Sequence, residues 1–145
     1  MPNPSTTTDL KKALMAEGFE VYRTLGTAVL LADRVRDNLI MDSAVAAVAG
    51  DVLKARFSVR AQRNDFPGES EEQLFQRARL LAHSALQRGY EEAQTSIVPM
   101  VDPSDKTRSL DTWFEVSFEK SVADVSELVT ELHFALSLDK LASRA

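Results

Sequence analysis

Residues 8–40, TDLKKALMAEGFEVYRTLGTAVLLADRVRDNLI, form the stretch from which the fold is predicted. Small or apolar side chains recur along it at alternating steps of four and three residues: Leu14, Gly18, Val21, Leu25, Ala28, Ala32, Val35 and Leu39. This spacing is typical of one face of an α-helix. It predicts one long packing helix over residues 9–40, with a face suited to the domain's own sheet or to a second chain.

Glycine is the weak point of this predicted helix, because each glycine inside a helix costs about 1 kcal/mol relative to alanine. Gly18 and Gly26 both lie within it. The main alternative is a break at Gly18, which gives a short helix over residues 9–17 and a longer one after it. A strand over residues 19–24 is a further alternative.

The next segment predicts two strands. Residues 43–49 are an alanine and valine run that ends at a Gly-Asp turn, and we interpret it as a strand. A second short helix is the alternative, since alanine favours helices. In residues 53–62, apolar and polar side chains alternate strictly, which is the period of a half-buried strand.

The second half of the chain repeats a helix followed by a hairpin. Ser70 and Gln73 predict a capping box at the start of a helix that ends at Gly89. Residues 90–100 and 110–118 read as antiparallel strands, and Pro99 indicates a sheet edge because it cannot donate a ladder hydrogen bond. In the first strand we expect three inward side chains, Ala93, Thr95 and Ile97. Asp124, with Glu127, predicts the final helix.

These elements predict an α+β fold. The order is α-β-β-α-β-β-α, with a four-stranded, mostly antiparallel sheet, the long N-terminal helix and two further helices packed on one face. We expect a mobile tail over residues 1–8, a single domain over 9–138 and a fraying C-terminus over 139–145. This element order resembles that of the small acidic chaperones of secretion systems, which are dimeric α+β proteins.

Composition excludes several classes of function. The 145 residues include 22 acidic and 17 basic ones, so the net charge of −5 argues against non-specific nucleic-acid binding. Cysteine is absent, which excludes disulfides, iron–sulfur clusters and cysteine-based zinc sites. The N-terminal residues do not read as a signal peptide and no segment reads as a membrane span. We therefore expect a cytoplasmic protein that does not bind membranes.

The single tryptophan is the most conspicuous candidate for a contact surface. Alternation places Trp113 on the outer face of its strand, opposite the Phe114 core face, and tryptophan is frequent at interface anchors. Cover by a loop, the tail or the long helix within the monomer is an equal alternative. We predict an outer sheet face that docks a partner, composed of Arg56, Arg60, Gln94, Trp113 and Glu115. The competing interpretation pairs Arg56 and Arg60 with Glu115 and Glu119 across strands.

Other large apolar side chains lie outside the expected core. Leu80 and Phe134 fall off the apolar stripes of their helices, which suggests burial against another subunit. Phe66 lies in the polar loop that joins the second strand to the next helix. We expect it to anchor that loop to the core, with an exposed contact as the alternative.

No residue pattern indicates catalysis. His83 and His133 are isolated from each other and from metal-ligand spacings, and the Asp102–Asp105 loop lacks the ligand order of a calcium loop. Glycine-rich phosphate loops are absent. We therefore predict no cofactor, no metal and no enzymatic activity. The predicted function is a protein-interaction module, such as an adaptor, assembly factor or chaperone, that acts as a homodimer. The alternative is a small-molecule-binding or enzymatic domain with a pocket between sheet and helices.

Overall fold

Four helices and six strands occur in residues 3–143, which are the residues that the computed structural model describes. The helices are α1 (Thr7–Ala16), α2 (Glu71–Leu80), α3 (His83–Gln87) and α4 (Val125–Ser137). The strands are β1 (Val21–Leu25), β2 (Ala28–Arg36), β3 (Leu39–Val48), β4 (Leu53–Gln62), β5 (Glu91–Asp102) and β6 (Asp105–Val122). They form one antiparallel sheet in the order β1-β2-β3-β4-β6-β5, which leaves β1 and β5 at its edges.

The prediction of a long N-terminal helix is wrong. Only Thr7–Ala16 is helical, and Gly18 ends the helix with a left-handed φ of +93°. The amides of Gly18 and Phe19 donate to the carbonyls of Met15 and Leu14, which satisfies the final turn. A glycine pays no steric penalty for this conformation, so it is a favourable helix stop.

The rest of the predicted helix is three strands. Leu25 pairs with Ala28, so Gly26 and Thr27 form the tight turn between β1 and β2. Gly26 has φ +59°, a value that such two-residue turns require. Of the stripe residues beyond Gly18, the sheet buries Ala28, whereas Leu25, Val35 and Leu39 are exposed. The sheet therefore has six strands where the sequence predicts four.

Two of the predicted segments near the middle of the chain are confirmed. Residues 43–48 belong to a strand, β3, so the helical alternative is wrong. In β4 every second residue is buried and the residues between them are partly exposed, as the alternation predicts. A bulge lies in β3 at Ala44, whose φ is +63°, and the Ser43 hydroxyl there donates to the Leu31 carbonyl at 2.8 Å.

The chain divides into two compact units. Unit 1 comprises the residues up to Phe57 together with Glu119–Ser137, and unit 2 comprises Ser58–Phe118 with the residues from Leu138 onward. In unit 1, α1 packs on β1 and β2, and α4 packs on β3. The buried side chains there include Leu10 and Leu14 of α1 and Leu128 and Leu132 of α4.

The core of unit 2 forms around aromatic side chains. Phe66, Leu74 and Phe114 are buried together with Ala61 and Ala142, and Phe75 packs edge-on against Phe114 with ring centroids 5.4 Å apart. Phe66 is 6% exposed, so the prediction that it anchors its loop is confirmed. The reciprocal hydrogen bonds between Ser70 and Gln73 confirm the capping box of α2.

Three details of the second half differ from the prediction. The helix after Ser70 is interrupted, because the amides of Leu81 and Ala82 donate three residues back and close α2 with a tighter turn. The hairpin strands are longer than predicted, at 12 and 18 residues. Ala93, Thr95 and Ile97 are exposed in β5, so their predicted inward placement is wrong. The edge position of β5 agrees with the indication from Pro99.

Candidate functional site

One face of the unit 2 strands is covered and the other is partly open. Val59, Ala61, Phe114 and Val116 are at most 2% exposed. The residues between them alternate to the opposite face and all retain solvent contact: Ser58, Arg60, Gln62, Asp111, Trp113, Glu115 and Ser117. We call these seven residues the outer face of unit 2. Trp113 belongs to this face, as alternation predicts.

Arg60 and Trp113 form a stacked pair on the outer face. The guanidinium carbon of Arg60 lies 3.7 Å from the centroid of the Trp113 ring, which is contact distance for a cation–π interaction. The sequence predicts a docking face that includes both residues, and the structure brings these two together. Neither the ion-pair interpretation of Arg60 nor the interpretation of Trp113 as an exposed contact predicts this stack.

The backbone of Arg60 is fixed on both sides of its peptide unit. Its amide donates to the Lys140 carbonyl and its carbonyl accepts from the Ala142 amide, each at 2.9 Å. The C-terminal segment thus makes a short parallel bridge to β4 at this residue. The main chain and the Trp113 ring therefore both constrain Arg60.

Three further arginines of unit 2 lie over aromatic rings. Arg77 lies 4.1 Å from the Phe66 centroid, Arg63 lies 5.3 Å from Phe114 and Arg79 lies 5.8 Å from Phe75. Each of the three also binds an oxygen within the unit. These pairs tie α2 and the loop before it to the aromatic core.

Two of these arginines bind a carboxylate, and the third binds a backbone carbonyl. Arg77 donates to both carboxylate oxygens of Glu69, which lowers the pKa of Glu69 and raises that of Arg77. Arg79 donates to Glu92 at 2.8 Å, and this hydrogen bond raises the pKa of Arg79. Arg63 donates to the Glu69 carbonyl. Within residues 3–143, Arg60 has no carboxylate at ion-pair distance.

Arg56 has a different environment, in unit 1. It donates to Glu119 at 3.3 Å, and Lys54 lies 3.5 Å from the other oxygen of the same carboxylate. The ion pair that the sequence suggests between Arg56 and Glu119 is therefore present. The charge of Arg56 is therefore matched within unit 1.

The remaining predicted contact residues lie on four different elements, and one of them, Glu115, belongs to the outer face. Gln94 is exposed on the edge strand, where its carbonyl accepts a hydrogen bond from the Ser117 hydroxyl at 3.4 Å. Glu115 is partly exposed on β6. Leu80, at the end of α2, is 74% exposed, whereas Phe134 in α4 is only partly exposed.

Several exposed apolar residues were missed by the sequence analysis. Ile97, Val101 and Leu110 in the β5–β6 hairpin are 48%, 38% and 46% exposed. In unit 1, the tip of the β2–β3 hairpin exposes Val35 and Met41 by about half. Their exposure could not be predicted from the sequence, because apolar residues at strand spacing normally predict burial.

Groups suited to catalysis are not clustered in the part of the chain that the structure describes. His133 is exposed and stacks on Phe19 with ring centroids 4.8 Å apart, and no group of three metal-ligating side chains was found among residues 3–143. An open cavity of about 650 Å³ lies in unit 1 beside the start of α4, with Asn3, Asp9 and Asp124 among its lining residues. It does not contain His133.

Comparison with known proteins does not assign the chain to a family or a function. Comparison with family models, curated proteins and solved structures finds no match for this chain. The helices within the described residues include none that is long and apolar enough to cross a membrane.

Proposed function

We propose that the protein is a non-catalytic interaction module, of the adaptor, assembly-factor or chaperone-like kind, that acts as a homodimer in the cytoplasm. It presents the outer face of unit 2 to another protein. The observation that carries this proposal is the Arg60–Trp113 stack on a sheet face that is partly open to solvent.

Residue type and placement support this use of the outer face. Tryptophan and arginine are the residues most often found at energetic centres of interfaces, and here one is stacked on the other. The stack is pre-organised by the strand ladder and the C-terminal bridge, which reduces the ordering cost of association. Phe114, on the opposite side of the same strand, supplies the core contact that Trp113 does not.

Exposed leucine supports self-association. Leu80 leaves most of its side chain in water, and Leu86 in α3 is 49% exposed. Removing apolar area from water contributes about 25 cal/mol per Å², so a second copy covering these side chains gains stability. Leu80 and Leu86 lie in helices α2 and α3, whereas the stack lies on strands β4 and β6.

Sedimentation velocity over about 1–100 µM protein tests the proposal, since association depends on concentration. We expect a dimer for the wild type and a shift toward monomer for Leu80→Ser. Val52→Ser is the matched control, because Val52 is 51% exposed in a turn and is expected to leave the dimer intact.

Acrylamide quenching of the single tryptophan completes the test. A protein that presents Trp113 to partners should show quenching of the folded state. A monomer at every concentration, with Trp113 shielded from acrylamide, would contradict the proposed function.

A further inference from the structure

The arginines of unit 2 that lie within about 6 Å of an aromatic ring centroid differ in their oxygen partners. Arg77 and Arg79 lie on aromatic rings and each binds a carboxylate, Glu69 for the first and Glu92 for the second. Arg63 lies over a ring and donates to a backbone carbonyl. Arg60 has the closest stack of the set, at 3.7 Å, and among residues 3–143 it has no acidic partner.

A stacked guanidinium is a good receptor for one planar anion. Stacking on one ring covers one face of the guanidinium and leaves its N–H groups directed outward in the plane, in the fork geometry that matches a carboxylate. In unit 2 this match is already realised at Arg77, whose Nε and Nη2 reach the Glu69 oxygens at 2.5–2.9 Å. The same arrangement at Arg60 lacks only the carboxylate.

We infer that Arg60 on its Trp113 platform is the recognition site for a glutamate or aspartate side chain of an acidic segment in the partner protein. This inference rests on the proposed function and names the chemistry of its partner. A single stacked cation suits a carboxylate of one charge. A nucleic acid requires many phosphate contacts, and Arg60 is the one cation among the seven residues of the outer face.

A direct titration tests the inference, because the one tryptophan of the chain lies beneath the proposed site. Blocked hexaglutamate peptide is added to the full-length protein at an ionic strength of about 0.05 M, where charge contacts are weakly screened. Blocked hexaglutamine is the uncharged control. We expect a saturable change in Trp113 fluorescence with hexaglutamate and none with hexaglutamine.

Variants distinguish binding of hexaglutamate at Arg60 from attraction by the overall charge of the protein. Arg60→Gln should weaken hexaglutamate binding about tenfold or more, since hydrogen bonds to charged groups contribute about 1.5–3 kcal/mol. Arg108→Gln changes the net charge equally on an exposed hairpin arginine and should bind like the wild type. Arg60→Lys keeps the charge without the fork, and we expect binding close to that of Arg60→Gln. Affinities of all variants are measured by calorimetric titration, because substitution of Arg60 itself changes the surroundings and the fluorescence of Trp113.

Four results would overturn the inference: no saturable binding of hexaglutamate, equal losses for Arg108→Gln and Arg60→Gln, wild-type affinity for Arg60→Lys, or stronger binding of an oligothymidylate than of hexaglutamate. A second copy as the source of the carboxylate would appear as an oligomeric state that changes with Arg60→Gln, which also contradicts a separate partner. Dimerisation with no response to hexaglutamate contradicts this inference and leaves the proposed function standing.

Discussion

Phe114 and Trp113 are consecutive residues of β6 with opposite surroundings. Phe114 is 2% exposed among Phe75, Leu74 and Ala61, whereas Trp113 lies on the outer face beneath Arg60. The larger of the two aromatic rings is therefore the one that contributes less to the core. The covered side of this strand supplies the core, and we propose that the outer side serves recognition.

A substitution on the covered face should cause the largest loss in the free energy of unfolding. We expect Phe114→Ala to lower the free energy of unfolding by about 3–5 kcal/mol, the range for a buried aromatic side chain replaced by alanine. Urea unfolding followed by circular dichroism measures this. Leu110→Ala is the control on the same strand, where 46% of the leucine is exposed and the loss should stay near 1 kcal/mol or less. Similar losses for both variants would remove the distinction between covered and open parts of β6.

The helix that covers this face can be weakened at its cap. Ser70 accepts from the Gln73 amide at 3.2 Å, and Ser70→Ala leaves that amide unpaired. We expect the free energy of unfolding to fall by about 1 kcal/mol. Ser109→Ala, on an exposed part of β6, should leave stability unchanged. An equal effect of the two substitutions would show that the cap does not support the covering layer.

Acid should distinguish the two kinds of stacked arginine. Hydrogen bonding from Arg77 lowers the pKa of Glu69 in the folded protein. A lowered pKa contributes stability above the ordinary glutamate value of about 4.3, and this contribution is lost as the pH falls through the folded value. Glu69→Gln should therefore destabilise the protein at neutral pH, with a difference from wild type that shrinks in acid. Glu91→Gln is the control, because Glu91 is exposed and has no arginine partner among residues 3–143. A constant difference for Glu69→Gln would contradict the account.

Arg60 should matter least to stability. Its stack is partly exposed and has no carboxylate among the described residues, so Arg60→Gln should cost about 0.5–1 kcal/mol at most. The loss should not vary between pH 4 and pH 7, in contrast to Glu69→Gln. Chemical unfolding at both pH values checks this. A loss as large as that of Phe114→Ala would mean that Arg60 is part of the folding core.

Local patterns in the sequence predicted the local structure well where one physical signal dominated. The strict alternation of β4 fixes which side chains are buried, and the Ser70–Gln73 pair fixes the start of α2. The outer position of Trp113 follows from the same alternation. These signals act between near neighbours and do not depend on the rest of the fold.

The prediction of one long N-terminal helix from the apolar stripe is wrong for a physical reason. Steps of four and three residues are compatible with a helix, but left-handed glycines at positions 18 and 26 separate one helix from two strands, and the turn at residues 37–38 begins a third strand. A helix interior cannot contain that conformation, whereas a hairpin turn needs it. The Arg60–Trp113 stack was also beyond prediction, because it depends on which rotamer the arginine adopts across two paired strands.

The most direct test of the central claim, that the outer face of unit 2 serves recognition and not folding, is the unfolding free energy of Trp113→Ala beside that of Phe114→Ala. We predict that Trp113→Ala loses at least about 2 kcal/mol less than Phe114→Ala, since it removes a partly exposed cation–π contact and not a core side chain. Circular dichroism in urea measures both without relying on the missing tryptophan signal. Equal losses would place Trp113 in the core and contradict the claim.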